Sequence, residues 1–252
     1  MKTFIKPILV TLLAPFALQA ANVAEVVYEE PDGALYTRGG LYNIEVGQEL
    51  IEGDILQTND STVILSLCEG SLLTAYPGTE VQLALLGDGT VAVKLMRGEV
   101  LGDITDDCRL DVKTKVGTAS ITDGVFGVVQ NLAGAQGWTM QVRNLDGKVD
   151  FVGDPKLDTS NMTVSLIEPN EIINIPAGEE IIVRGIYNES TEIFALTQGG
   201  AALASMTDED VLGLREAVQE MSSAVLPKPP TPTPPLIIEI PYEDIETASD
   251  KG

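Results

Sequence analysis

Histidine is absent from the 252 residues, cysteine occurs twice, tryptophan once, and 15 Lys+Arg face 38 Asp+Glu for a formal charge of −23. Without histidine there is no Ser-His-Asp triad, no Cys-His pair, no His-ligated zinc and no haem held by histidine. The shortage of cations excludes nucleic acid as a partner, because binding it rests on Lys and Arg neutralising phosphates. Aromatic residues make up 5% of the chain, too few for a sugar-stacking platform. What is plentiful is aliphatic: 44% of residues are hydrophobic and 21% charged, a balance that buries a core.

The first twenty residues read as an export signal. Lys2 and Lys6 precede the apolar run Ile8 to Leu18, which ends at Ala17-Leu18-Gln19-Ala20. A membrane anchor is the rival reading, but a spanning helix needs ~20 apolar residues, and Pro15 interrupts this run. Cleavage after Ala20 removes two lysines and takes the charge from −23 to −25. No later stretch is long and apolar enough to span a bilayer, so the expected location of the mature chain is the periplasm or the cell exterior.

Export gives Cys68 and Cys108 a meaning. In an oxidising compartment an even pair is expected to close into a disulfide, against the alternative of two unrelated buried thiols. A redox role would place them closer together, as in Cys-x-x-Cys.

From about Asp32 to Ile186 apolar residues recur at every second position, the period of a strand. Val63-Leu65-Leu67, Val81-Leu83-Leu85, Val91-Val93-Leu95 and Trp138-Met140-Val142 alternate in this way, as do Val149-Phe151 and Leu110-Val112. Asp88-Gly89 and Asp146-Gly147 separate alternating runs and predict type I′ hairpins. The pattern predicts an all-β domain, and periodicity leaves sandwich, barrel and solenoid open. One helix is expected, from Thr207 to Ala224. Thr207-x-x-Asp210 forms a capping box, and Val211, Leu214, Val218 and Met221 make a stripe that docks on the β body. The stretch from Ala195 to Ser205 reads as a packed connector or a second short helix. Pro227 to Pro235 reads as a stiff spacer. Beyond it, Leu236 to Ile240 and the acidic tail read as a disordered end, or as a tethered strand that adds to a sheet edge. The expected divisions are 1–20 signal, 21–190 β domain, 191–225 helical extension and 226–252 Pro-rich tail.

Three stretches together resemble the periplasmic domain of FecR-type proteins. The first is Gly47-Gln48-Glu49-Leu50-Ile51-Glu52-Gly53-Asp54-Ile55-Leu56-Gln57-Thr58. The second runs from Ser61 through Gly70-Ser71 to Pro77-Gly78-Thr79-Glu80-Val81. The third is Leu95-Met96-Arg97-Gly98-Glu99-Val100, then Val112-Lys113-Thr114 and Ala119-Ser120-Ile121. Where the family usually continues Gly-Thr-x-Phe, this chain has Gly124-Val125-Phe126, and Pro176-Ala177-Gly178-Glu179 matches the turn before a closing strand. The resemblance covers about Asp32 to Arg184. It implies an elongated, solenoid-like or sandwich β domain that binds other proteins and is not an enzyme. FecR regulators carry a cytoplasmic anti-sigma segment and a membrane span ahead of this domain. Here an export signal stands in their place, so the expectation transfers the module and not the circuit.

From Ala21 to Val93 a single cation, Arg38, faces twelve carboxylates. Such crowding is expected to be a solvated acidic surface; no Ca²⁺-loop motif accompanies it. Trp138 is expected in the core. No catalytic, cofactor or metal residues stand out. The expected function is an exported module that binds another cell-envelope protein, in signalling or regulation. The alternatives are a self-assembling structural envelope protein and a calcium- or polysaccharide-binding β protein.

Overall fold

The computed structural model describes residues 22–30, 33–133, 137–161 and 166–225, so the expected signal and the Pro-rich tail lie outside the described residues. Among the described residues alternation becomes seventeen strands. The first eight are β1 (Asn22–Glu29), β2 (Leu35–Thr37), β3 (Leu41–Asn43), β4 (Glu49–Ile51), β5 (Ile55–Gln57), β6 (Val63–Cys68), β7 (Ser71–Ala75) and β8 (Glu80–Leu85). Then come β9 (Val91–Ile104), β10 (Leu110–Lys113), β11 (Gly117–Ala133), β12 (Gly137–Asn144) and β13 (Lys148–Gly153). The last are β14 (Leu157–Asp158), β15 (Ile172–Ile175), β16 (Glu179–Asn188) and β17 (Ile193–Ser205), followed by the helix α1 (Asp208–Val225).

Backbone pairing sorts these into two sheets. Sheet I runs β4-β1-β6-β7-β9-β11-β12-β16-β17-β14. Sheet II runs β3-β2-β5-β8-β9-β10-β11-β13-β15. The long strands β9 and β11 belong to both. Residues 91–97 of β9 pair in sheet II and 98–104 in sheet I. In β11 the change falls between Asp123 and Gly124. The two strands are neighbours in sheet I and are held apart in sheet II by β10, which runs parallel to β9. Of the three all-β architectures left open by periodicity, this is a sandwich, and among the described residues both sheets are open at their edges.

The corner at Gly124 depends on missing side chains. Gly124 and Gly147 adopt φ of +92° and +88°. A Cβ on Gly124 would lie 2.2 Å from the Asp146 carbonyl oxygen, and one on Gly147 would lie 2.2 Å from that of Asp123. Only glycine at both positions lets the strands cross this closely.

The inward residues of both sheets meet in one core that includes Leu50, Leu65, Leu83, Leu95, Phe126 and Phe151. Each such burial contributes roughly 1.5–3 kcal/mol. The helix adds a third layer on the outer face of sheet I, where Leu214 packs with Leu101, Val125 and Met206. Its N-terminus is capped as expected. Asp210 N donates to Thr207 Oγ1 and Thr207 N to Asp210 Oδ2, both at 3.2 Å. Among the described residues no helix is long and apolar enough to cross a membrane.

Three local expectations are corrected. Asp88-Gly89 does sit between paired strands, but in a loop from Leu86 to Thr90 in which only Gly89 has positive φ, so it is not a two-residue type I′ turn. Asp146-Gly147 is no hairpin: β12 pairs with β11 and β16 while β13 pairs with β11 and β15, so the turn carries the chain from sheet I to sheet II. The Ala195–Ser205 stretch is strand β17, paired along β16 with Phe194 and Leu196 buried. The β sheet therefore extends past the expected boundary at residue 190.

Candidate functional site

Cations are scarce, so their placement is informative. Among the described residues five of them are in ion pairs: Arg38–Asp54, Arg97–Glu80, Arg143–Glu99, Lys148–Asp150 and Lys156–Glu192. Arg38 does structural work. Its Nε donates to Asp54 Oδ1 at 2.9 Å and its Nη2 to the Glu49 carbonyl at 2.9 Å. Asp54 Oδ2 in turn accepts from Ile51 N at 2.9 Å, closing the turn whose Gly53 has φ +90°. Gly70, at the turn from β6 to β7, likewise has a positive φ of +78°.

Lys94, Lys113 and Lys115 have no carboxylate within ion-pair distance among the described residues. Lys94 on β9 and Lys113 on β10 are direct partners in the parallel pairing, and both are exposed on the outer face of sheet II. The registers extend this into one continuous row: Leu41, Thr37, Ile55, Gln82, Lys94, Lys113, Thr118, Val152 and Ile172. Two adjacent ammoniums lie near its middle, and Leu41 and Ile172 stand exposed at its ends. Like charges directly opposite on neighbouring strands destabilise a sheet by a few tenths to about 1 kcal/mol. No helix covers this face among the described residues, in contrast to sheet I.

Beside the row, Lys94 also lines a cavity of about 440 Å³. The Lys115 ammonium enters it between two rings, 4.2 Å from the centroid of Trp138 and 4.4 Å from that of Tyr187. Lys115 is held there by its backbone. Its N–H donates to Gln130 Oε1 at 2.7 Å, and the buried Gln130 amide donates to the Leu95 and Met96 carbonyls at 2.7 and 2.9 Å. Burial lowers the Lys115 pKa below its ordinary value; Glu189 pulls it back up, and Lys94 pushes it further down. Lys156 is the third cation of the lining; its ammonium meets Glu192 Oε2 at 2.5 Å, and its pKa is raised by that bond. Met96 and Pro155 supply apolar wall, and Asp154 is the other carboxylate.

A second cavity, of about 310 Å³, lies under the start of α1. Arg143 and Glu99 pair there, and Tyr76 is pushed up to about 12, first by burial and then by Glu99. Tyr76 packs against the apolar cluster through which Leu214 seats α1 on sheet I.

Cys68 and Cys108 form the expected disulfide, tying the end of β6 to the turn before β10. Among the described residues no three His, Cys, Asp or Glu side chains gather as a metal site. Trp138 is partly buried at the margin of the core, with Lys115 over its ring. The sequence reading passed over the Lys115–Trp138–Tyr187 group. The available signal was the local excess of lysine at 94, 113 and 115 in an acidic chain.

No family model matches the chain, and no curated protein matches it. Two crystal structures of a "putative anti-sigma factor" from Parabacteroides distasonis ATCC 8503, at 1.65 and 2.50 Å resolution, are similar to 63% of it. Their sequence identities are 15% and 16%, and the TM-score is 0.44 for each. The chain spans 62% of the length of those structures.

Proposed function

We propose that the mature chain is an exported, non-enzymatic β module that binds an acidic surface of another cell-envelope protein. The contact is the outer face of sheet II, and its setting is a signalling or regulatory assembly of the kind FecR-type proteins serve. One observation carries the reading: Lys94 and Lys113 sit abreast and without carboxylate partners among the described residues, in a chain of charge −23. Their mutual repulsion costs stability in the free protein and is relieved by a carboxylate-rich partner, which gives a charged contact its specificity and its on-rate. The flanking Thr37, Ile55, Thr118 and Val152 keep the row low and half apolar, which suits close approach by a second surface. The disulfide, together with the export signal expected at residues 1–20, is the support for an oxidising compartment.

A photo-crosslinking residue at Thr118, in the row, should form an adduct with a foreign envelope protein, and one at Leu212, on the exposed side of the helix, should not. Adducts from Leu212 alone would move the interface to the helical layer and end this reading.

A further inference from the structure

The cavity around Lys115 is a second site; it borders the protein-binding row and shares Lys94 with it. We infer that it binds a small organic anion, a carboxylate or a phosphate ester carried on a short apolar body.

Three features argue for this. The first is size: about 440 Å³ lies within the range of small-molecule sites. The second is charge. Three of the chain's fifteen cations converge on this cavity. Of the two carboxylates beside them, Glu192 is occupied by Lys156, and Asp154 Oδ1 accepts from the Lys156 backbone N–H at 2.8 Å. Lys94 and Lys115 are left facing the space with no carboxylate in contact among the described residues. The third is the state of Lys115. The partly buried ammonium stacks on two ring faces, and among the described residues Glu189 acts on it only through space, so its three donors stay available and an anion entering the cavity gains a charge-assisted hydrogen bond there. The apolar wall of Met96 and Pro155 faces whatever body carries the anionic group. Gln130 fixes the backbone of Lys115 and the carbonyls of Leu95 and Met96 together, so the site is built before any ligand arrives.

Trp138 is the only tryptophan in the chain and already touches the Lys115 ammonium, so it reports directly on the site. The full mature protein is titrated with benzoate and, separately, with phenyl phosphate at constant ionic strength, with benzyl alcohol as the neutral control. A saturable change in Trp138 emission with at least one of the anions and none with benzyl alcohol is expected, and the arm that saturates at lower concentration identifies the head group. Lys156→Gln, which removes a cation and frees Glu192, should raise the midpoint about tenfold, equivalent to about 1.4 kcal/mol. Because Lys115→Gln also alters the reporter, its test is the melting temperature. The saturating anion should raise that of the wild type and leave that of Lys115→Gln unmoved. No saturation with either anion, an equal response to benzyl alcohol, or a midpoint unchanged by Lys156→Gln would overturn the site. Lys113→Glu separates the two readings, since it lies in the row but not in the cavity lining: it should abolish partner capture and leave the titration standing.

Discussion

Arg38 reaches across sixteen residues of chain to grip Asp54 with both Nε and Nη2, and Asp54 is 2% exposed. From Ala21 to Val93 the one cation is thus spent on fold and not on function. Removing it leaves a buried carboxylate with Ile51 N as its remaining partner. Arg38→Ala should cost about 2 kcal/mol, below the ~3–5 kcal/mol of a fully buried pair because the Arg38 side chain is 37% exposed. Arg38→Lys should recover less than half of that, since a single ammonium cannot reproduce the fork. Urea unfolding midpoints decide it, and a wild-type midpoint for Arg38→Ala would contradict the clamp.

The crossing of β11 over the turn before β13 predicts a contrast between two glycines of similar φ. Gly89 (φ +87°) has open space where a Cβ would go, so Gly89→Ala should cost about 1 kcal/mol, the price of positive φ alone. Gly124→Ala adds a 2.2 Å clash with backbone and should cost about 3 kcal/mol or more, enough to lower the yield of folded protein. Equal melting temperatures for the two variants would show that the corner relaxes.

Much of this architecture was legible in the sequence, and the failures have physical causes. Alternation located β6, β8, β12 and β13 because each has one face on the core. It could not tell a hairpin from a corner at Asp146-Gly147, because both need a turn with a left-handed glycine, and only pairing distinguishes them. It read residues 195–205 as connector or helix because Gly199, Gly200 and the alanines blur the period. In the structure Gly200 is there so that the Arg184 carbonyl can come within 2.3 Å of where its Cβ would be. The candidate sites were the least legible. Lys94, Lys113 and Lys115 are adjacent only because β10 is inserted parallel to β9, and Trp138 and Tyr187 join them through β12 and β16.

The bond between Cys68 and Cys108 spans 40 residues and joins β6 of sheet I to the approach to β10 of sheet II. By loop-closure entropy it stabilises the fold by about 4 kcal/mol. Reduction should lower the melting temperature by several degrees, and no thiol should alkylate before reductant is added. Two reactive thiols in the untreated mature protein would refute both the bond and the oxidising compartment proposed for it.

Tyr76 lies beneath α1 with its ionisation pushed up to about 12, by burial first and then by Glu99 and Glu220, against the pull of Arg143. A folded-state value above the unfolded value near 10 means that its contribution is fully present below pH 10 and is lost as pH rises through about 12. Spectrophotometric titration of the six tyrosines should therefore show a late ionisation that disappears in Tyr76→Phe. An unchanged curve would mean that the helix does not cover Tyr76 in solution.

The claim that the sheet II row binds an acidic partner is tested most directly by comparing crosslinked pull-downs from the protein's own envelope fraction. The baits are wild type, the double variant Lys94→Glu/Lys113→Glu, and Arg215→Glu on the exposed side of α1 as a charge control. The account predicts one dominant foreign protein with the wild type and Arg215→Glu, weakened by added salt and absent from the double variant. Equal capture by the double variant, or recovery of the bait alone as crosslinked multimers, would contradict it.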